Sequence, residues 1–152
     1  MGFRLSDTTE VVLENVRVPQ SAVIGEVGQG MSIALNALNL SRAFISTLAV
    51  GIMQRALDEA VAYAKQRKQF GRRLIDFEMV QQMLADMAIK TEAARVLVNN
   101  CMRQMDAGEM VRKDGAIVKT FVTDAMQEVV ECAPEIKACN QKARYIADLN
   151  CR

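Results

Sequence analysis

Five consecutive residues, Arg67, Lys68, Gln69, Phe70 and Gly71, hold the chemistry that stands out in this chain. A guanidinium presents paired N–H groups that match a phosphate, and an aromatic face stacks on a base. Two cations, an amide, a flat ring and a residue free to turn therefore suit a nucleotide, with its diphosphate at Arg67. The same residues also suit the end of a helix, where cations meet exposed carbonyls and a glycine stops the run. The residues alone leave both roles open.

Other chemistries are thinly supplied. The chain has no histidine, which removes the commonest general base and metal ligand. Its four cysteines, Cys101, Cys132, Cys139 and Cys151, include no Cys-x-x-Cys pair, so neither a metal site nor a redox pair is expected. Gly28-Gln29-Gly30 lacks the Lys-Ser/Thr sequel of a phosphate loop and reads as a tight entry to a helix. Nineteen basic residues against eighteen acidic ones give a net charge of +1, where a nucleic-acid binder usually carries a basic surplus. No apolar run is expected to approach the roughly 20 residues of a spanning helix, and the first seven residues contain no apolar segment of the signal-peptide kind. A cytoplasmic protein with reduced thiols and without membrane contact is expected.

The elements that would position the Arg67–Gly71 turn are helices. A stripe of Leu38, Ile45, Ala49, Ile52, Ala56, Ala60 and Ala64 predicts one helix over residues 31–66. Asp76 is a good N-cap for a second helix reaching residue 105, with Val80, Leu84, Met87, Ala94, Val98, Cys101 and Met105 on its core face. A third, over residues 112–132, carries Val118, Phe121, Val122, Ala125 and Val129 and is expected to break at Pro134. Beyond it, Ile136, Cys139, Ala143 and Ile146 could line a short fourth helix. Short links between long helices predict an all-α, antiparallel up-down bundle of three to four helices. Before it, residues 9–19 are rich in β-branched types and predict a short N-terminal β segment. A lone strand is marginal in water, so the chain reads as part of something larger or as a subunit completed by association.

The motifs Ser6-Asp7-Thr8-Thr9-Glu10, Val16-Arg17-Val18-Pro19, Ile24-Gly25-Glu26, Gly28-Gln29-Gly30-Met31, Gln54-Arg55-Ala56-Leu57-Asp58-Glu59-Ala60, Arg67-Lys68-Gln69-Phe70-Gly71 and Leu84-Ala85-Asp86-Met87-Ala88 occur in one order. In that order they resemble the acyl-CoA dehydrogenase family, from the end of its middle β-domain into its C-terminal helical domain. The resemblance runs over about residues 2–130 and implies a division into residues 1–30, a β-domain remnant with linker, and 31–152, the helical bundle. It implies FAD-dependent oxidation of the α–β bond of an acyl-CoA thioester in the intact enzyme, and assembly as a homo-oligomer. It further implies that Arg67 meets the FAD diphosphate, with Lys68 beside it, that Gln69 hydrogen-bonds the cofactor and that Phe70 packs near the adenosine. Phe77 and Glu78 occupy the family's next FAD contact, although Glu78 places an acid where the family has an amide. Asn39 and Arg42 fall where the family lines its acyl-CoA cavity.

The resemblance also marks departures. One branch of the family carries its catalytic Glu immediately before the Arg matched here by Arg42, and this chain has Ser41, whose hydroxyl cannot act as a carboxylate base. The other branch carries it in a Tyr-Glu-Gly-Thr segment after a Gly-Gly-x-Gly turn, and Cys132-Ala133-Pro134-Glu135 stands where that turn is expected. No catalytic residue is therefore assigned. An enzyme fragment, inactive alone, is the expected function, with a non-catalytic self-association module as the alternative.

Overall fold

In the computed structural model the backbone is described for residues 9–150 and side-chain environments for residues 9–136. The described residues fall into two compact units divided between Ala34 and Leu35. Within the first, residues 9–29 contain a 3₁₀ turn at Gln20–Ala22 and no strand. The β segment expected at residues 9–19 is absent there: Val11, Val12, Leu13, Val16 and Val18 are all exposed, and a strand needs a paired neighbour to satisfy its backbone. The expected involvement of Ser6–Thr8 lies outside the described residues.

Three long helices follow: α1, Gly30–Gln66; α2, Glu78–Asp106; and α3, Arg112–Asn150. Between α1 and α2 a two-residue strand pair, β1 at Lys68–Gln69 and β2 at Arg72–Arg73, forms an antiparallel hairpin. The fold is thus an all-α up-down bundle with its short β segment in the α1–α2 link. Pairings fix the helix directions. Arg95 of α2 donates to Gln54 of α1, Lys90 of α2 pairs with Glu128 of α3, and Gly115 of α3 lies against Asn39 of α1. A Cβ on Gly115 would meet the Asn39 carbonyl oxygen at 3.4 Å, so α3 approaches the α1 backbone closely here.

The core matches the expected stripe on α2 from Val80 to Cys101: Val80, Leu84, Met87, Ala94, Val98 and Cys101 are buried, joined by Thr91, while Met105 is half-buried. Thr91 satisfies its hydroxyl by donating to the Met87 carbonyl at 2.7 Å, which makes a polar residue tolerable there. Facing them on α3 are Val118, Val122, Ala125, Val129 and Ile136, each large aliphatic side chain contributing about 1.5–3 kcal/mol on burial. Phe121, expected in this face, is 40% exposed.

On α1 the expected stripe holds at Ala49, Ala60 and Ala64, is half-buried at Ile52 and Ala56, and fails toward the N-terminus. The buried residues of the helix are Ala43, Ser46, Ala49, Val50, Met53, Ala60 and Ala64, while Leu38 and Ile45 are exposed. From Gly30 to Gln54 the helix has a single charged residue, Arg42, so no polar face sets the phase of the pattern. Small residues turn inward because neighbouring helices approach there, and Leu38, Phe44, Ile45 and Leu48 stay outside. By length and composition α1 could cross a membrane; Asn, Ser and Arg interrupt the apolar run without lowering its average enough to exclude that.

Two further boundaries differ from expectation. Asp76 does not cap α2: Phe77 holds the N-cap position, and the Asp76 carboxylate turns to Arg73. Pro134 does not end α3, which continues to Asn150. Proline removes one helical N–H and crowds the carbonyl four residues earlier; here Ala133 and Ile136, both buried, flank it. The apolar line expected through Cys139, Ala143 and Ile146 lies outside the described side chains.

Candidate functional site

The Arg67–Gly71 turn is the tip of the hairpin. Gln69 pairs with Arg72 and Lys68 with Arg73, and the Leu74 amide donates to the Arg67 carbonyl at 2.8 Å. Two residues remain to make the turn, Phe70 at φ 51° and Gly71 at φ 80°. Two successive positive φ values are the mark of a type I′ turn, whose twist suits a two-residue hairpin. Glycine accepts this freely. Phenylalanine does not, because its Cβ crowds the backbone in the left-handed region. The strained ring is also 72% exposed, so folding of this chain recovers little from it. Strain and exposure at one aromatic residue point to a contact made with another molecule.

Arg67 sits where α1 ends, its amide still bonded to the Tyr63 carbonyl at 2.9 Å. The side chain is half-buried, and its Nε is fully buried with no acceptor. A buried donor without a partner costs about 1–3 kcal/mol, and an anion reaching the guanidinium would offset that. Lys68 is exposed beside it and Gln69 half-buried. The hairpin is seated in the bundle through Leu74, which is 4% exposed.

Phe77 and Glu78 stand at the start of α2. One face of Phe77 is covered by the Arg72 guanidinium, 3.9 Å above the ring centre, a cation–π stack. Glu78 is an exposed acid in the first helical turn, where it complements the helix dipole. The structure thus brings Arg67, Lys68, Gln69 and Phe70 together in one hairpin, with Phe77 and Glu78 following directly.

Asn39 and Arg42 form a separate pair on α1. Arg42 Nη1 donates to Asn39 Oδ1 at 3.0 Å. Ser41 donates its hydroxyl to the Leu38 carbonyl at 2.9 Å. Of the cysteines with described surroundings, Cys101 is buried and Cys132 half-buried, and neither is in a disulfide. Burial pushes the Cys101 thiol up, with Asp114 adding to the effect, which disfavours the reactive thiolate.

Sequence reasoning missed Arg72, Arg73 and Asp76 as a connected group. Arg73 Nη2 donates to Asp76 Oδ1 at 3.0 Å and Nε to Oδ2 at 3.1 Å; the Arg73 amide also donates to Oδ2 at 3.2 Å. The near-symmetry of Lys68-Gln69 and Arg72-Arg73 about Phe70-Gly71 was the available signal for a hairpin.

Comparison with known proteins places the fold. The model of the acyl-CoA dehydrogenase C-terminal domain matches residues 28–138. The probable acyl-CoA dehydrogenase FadE25 of Mycobacterium tuberculosis is 44% identical over 137 residues, which are 90% of this chain and 35% of that protein. Subunit CarC of the caffeyl-CoA reductase–Etf complex of Acetobacterium woodii is 38% identical over 136 residues, covering 90% of this chain and 36% of its own length. Among solved structures, butyryl-CoA dehydrogenase from Megasphaera elsdenii superposes with a TM-score of 0.80 at 38% identity, over 82% of this chain and 33% of that one. The chain spans about a third of the length of these relatives. Family match and superposition agree: the chain belongs to the acyl-CoA dehydrogenase family and corresponds to its C-terminal helical domain.

Proposed function

We propose that this chain forms the part of an FAD-dependent acyl-CoA dehydrogenase that presents a cationic, aromatic-tipped hairpin to the cofactor. On this reading residues 1–30 belong with the β-domain and 31–152 with the bundle. The observation that carries it is the turn itself: an exposed Phe70 held at positive φ beside an Arg67 whose buried Nε lacks an acceptor. The residues fit FAD. Arg67 and Lys68 would hold the diphosphate, Gln69 would hydrogen-bond it, and Phe70 would cover the adenosine; Phe77 and Glu78 border this group. FAD supplies hydride acceptance from the β-carbon of an acyl thioester. The Asn39–Arg42 pair offers a donor-rich spot on α1 for acyl-CoA, and Ser41, already donating within its own helix, supplies no base.

The isolated chain is expected to bind FAD weakly and to turn over no acyl-CoA. Titration with FAD tests the site. Arg67→Ala should weaken binding by roughly 1.5–3 kcal/mol, the scale of hydrogen bonds to charged groups, with helix content unchanged. Equal binding by both forms, or none by either at millimolar FAD, refutes the assignment.

Self-association is the second reading, and the apolar exterior of α1 at Leu38, Phe44, Ile45 and Leu48 favours it. A second copy covering that face would remove a contiguous apolar patch from water. Light scattering that gives a monomer mass at every accessible concentration would refute it. The cytoplasm is the compartment this reading assigns.

A further inference from the structure

Four cations crowd the hairpin: Arg67, Lys68, Arg72 and Arg73. Lys68 and Arg73 stand directly opposite each other across the two strands. Like charges directly opposite in an antiparallel pair destabilise it, so this ladder should splay at its outer pair, one position removed from the turn. Asp76 answers that repulsion. Its carboxylate takes a two-pronged contact from the Arg73 guanidinium and a third bond from the Arg73 amide. Arg73 is thereby tied to Asp76, two residues before the start of α2. Arg72 stacks on the ring of Phe77. Two of the four cations are engaged by the segment that follows the hairpin, and neither Arg67 nor Lys68 makes an ion pair among the described residues.

We infer that Asp76 is a positioning residue for the ligand-facing side of the hairpin: by engaging Arg73 it relieves the Lys68–Arg73 repulsion and so holds Arg67, Lys68 and Phe70 in register. The inference rests on the reading of Arg67–Phe70 as the FAD-facing group. The link to Arg67 is direct, because the Leu74 amide, one residue beyond Arg73, closes on the Arg67 carbonyl. Phe77 assists through Arg72. Two residues expected at other tasks, an N-cap and a cofactor contact, thus act on the hairpin itself.

The test compares Asp76→Asn, Arg73→Gln and the double variant in the full chain. Asparagine keeps an acceptor for the Arg73 amide and loses the charge. In Asp76→Asn, hydrogen exchange at the Leu74 amide should quicken by about two- to fivefold, the population shift expected of an exposed ion pair. Exchange in the middle of α2 should not change. In the double variant the repulsion itself is gone, so Leu74 exchange should return toward the wild-type rate. ADP, as the probe ligand, should bind more weakly to Asp76→Asn and recover in the double variant. A simple capping role predicts instead that the double variant is at least as loose as the single one, and that result overturns the inference. Unchanged exchange in Asp76→Asn overturns it too. Absence of ADP binding to wild type would count against the FAD reading, while the exchange pattern would still decide the role of Asp76.

Discussion

Replacing Phe70 by asparagine should make this protein more stable and a poorer ligand for FAD. Phe70 holds φ 51° with its ring 72% exposed. A residue with a Cβ pays about 1–2 kcal/mol in the left-handed region. Asparagine pays less, since its short side chain bonds locally to the backbone, and Asn-Gly is the preferred pair for a type I′ turn. Little burial is lost in exchange, because most of the ring already faces water. A net gain of about 1 kcal/mol follows, which raises the thermal midpoint by roughly 2–5 °C in a domain of this size. Gly71→Ala is the matching control. A Cβ on Gly71 would touch nothing within 4 Å, so its cost at φ 80° is purely conformational, and about 1–2 kcal/mol should be lost. Calorimetry on the three forms, with FAD titration of each, reads both effects. A Phe70→Asn variant that melts below wild type would show that the ring packs within this chain, and the argument from strain would fail.

Pro134→Ala should raise the thermal midpoint, because proline inside α3 forfeits a helical bond and crowds the Val130 carbonyl; the gain is about 1–3 kcal/mol, and a lower midpoint would refute it. The hydrogen bond and charge of the Arg73 guanidinium hold the Asp76 carboxyl below the ordinary aspartate value of 3.8. A depressed folded value means that the stabilisation is complete above the unfolded value and is lost as pH falls through the folded one. A carbon-detected titration of Asp76 should therefore have its midpoint below 3.8, and a midpoint at or above it would contradict the Arg73 contact.

The helices were legible in the sequence because their periods are long and their links short. On α2 the alternation of polar and apolar positions is clean, and its buried face was readable residue by residue except for Thr91, which is buried, and Met105, which is half-buried. On α1 the period was visible and its phase was right at Ala49, Ala60 and Ala64 but not at Leu38 and Ile45, since one charge in the first 25 residues leaves every rotation there nearly equal in pattern. Only the approach of neighbouring helices, seen where Ala43 and Met53 are fully buried, decides which side turns in. The chemistry of Arg67–Phe70 was legible from residue types. Its geometry was not, because a two-residue hairpin is set by φ values at Phe70 and Gly71 that propensity argues against for phenylalanine. Asp76 misled for a related reason: an aspartate ahead of a helix is usually its cap, and the nearby guanidinium competed more strongly for it.

These departures from local preference do not scatter evenly. A left-handed phenylalanine, an exposed aromatic ring, an unsatisfied buried guanidinium nitrogen, opposed like charges and a diverted cap all fall between Arg67 and Phe77. Elsewhere among the described residues the exceptions stand apart from one another, and Asn15 is one, with a positive φ of 52°. Gln104 has one buried acceptor without a partner, and Pro134 interrupts one turn of α3. These last two can be tolerated by a bundle with a well-packed α2–α3 core. Five in eleven residues cannot be explained as drift in a segment that serves only to join two helices, since a plain Asn-Gly turn would join them at lower cost. A sequence normally agrees with its fold at every level and breaks the rules where function requires it. The concentration of strain and unmet hydrogen-bonding capacity at this hairpin is therefore what supports the proposal that it, ahead of the grooves between the helices, is shaped for a ligand.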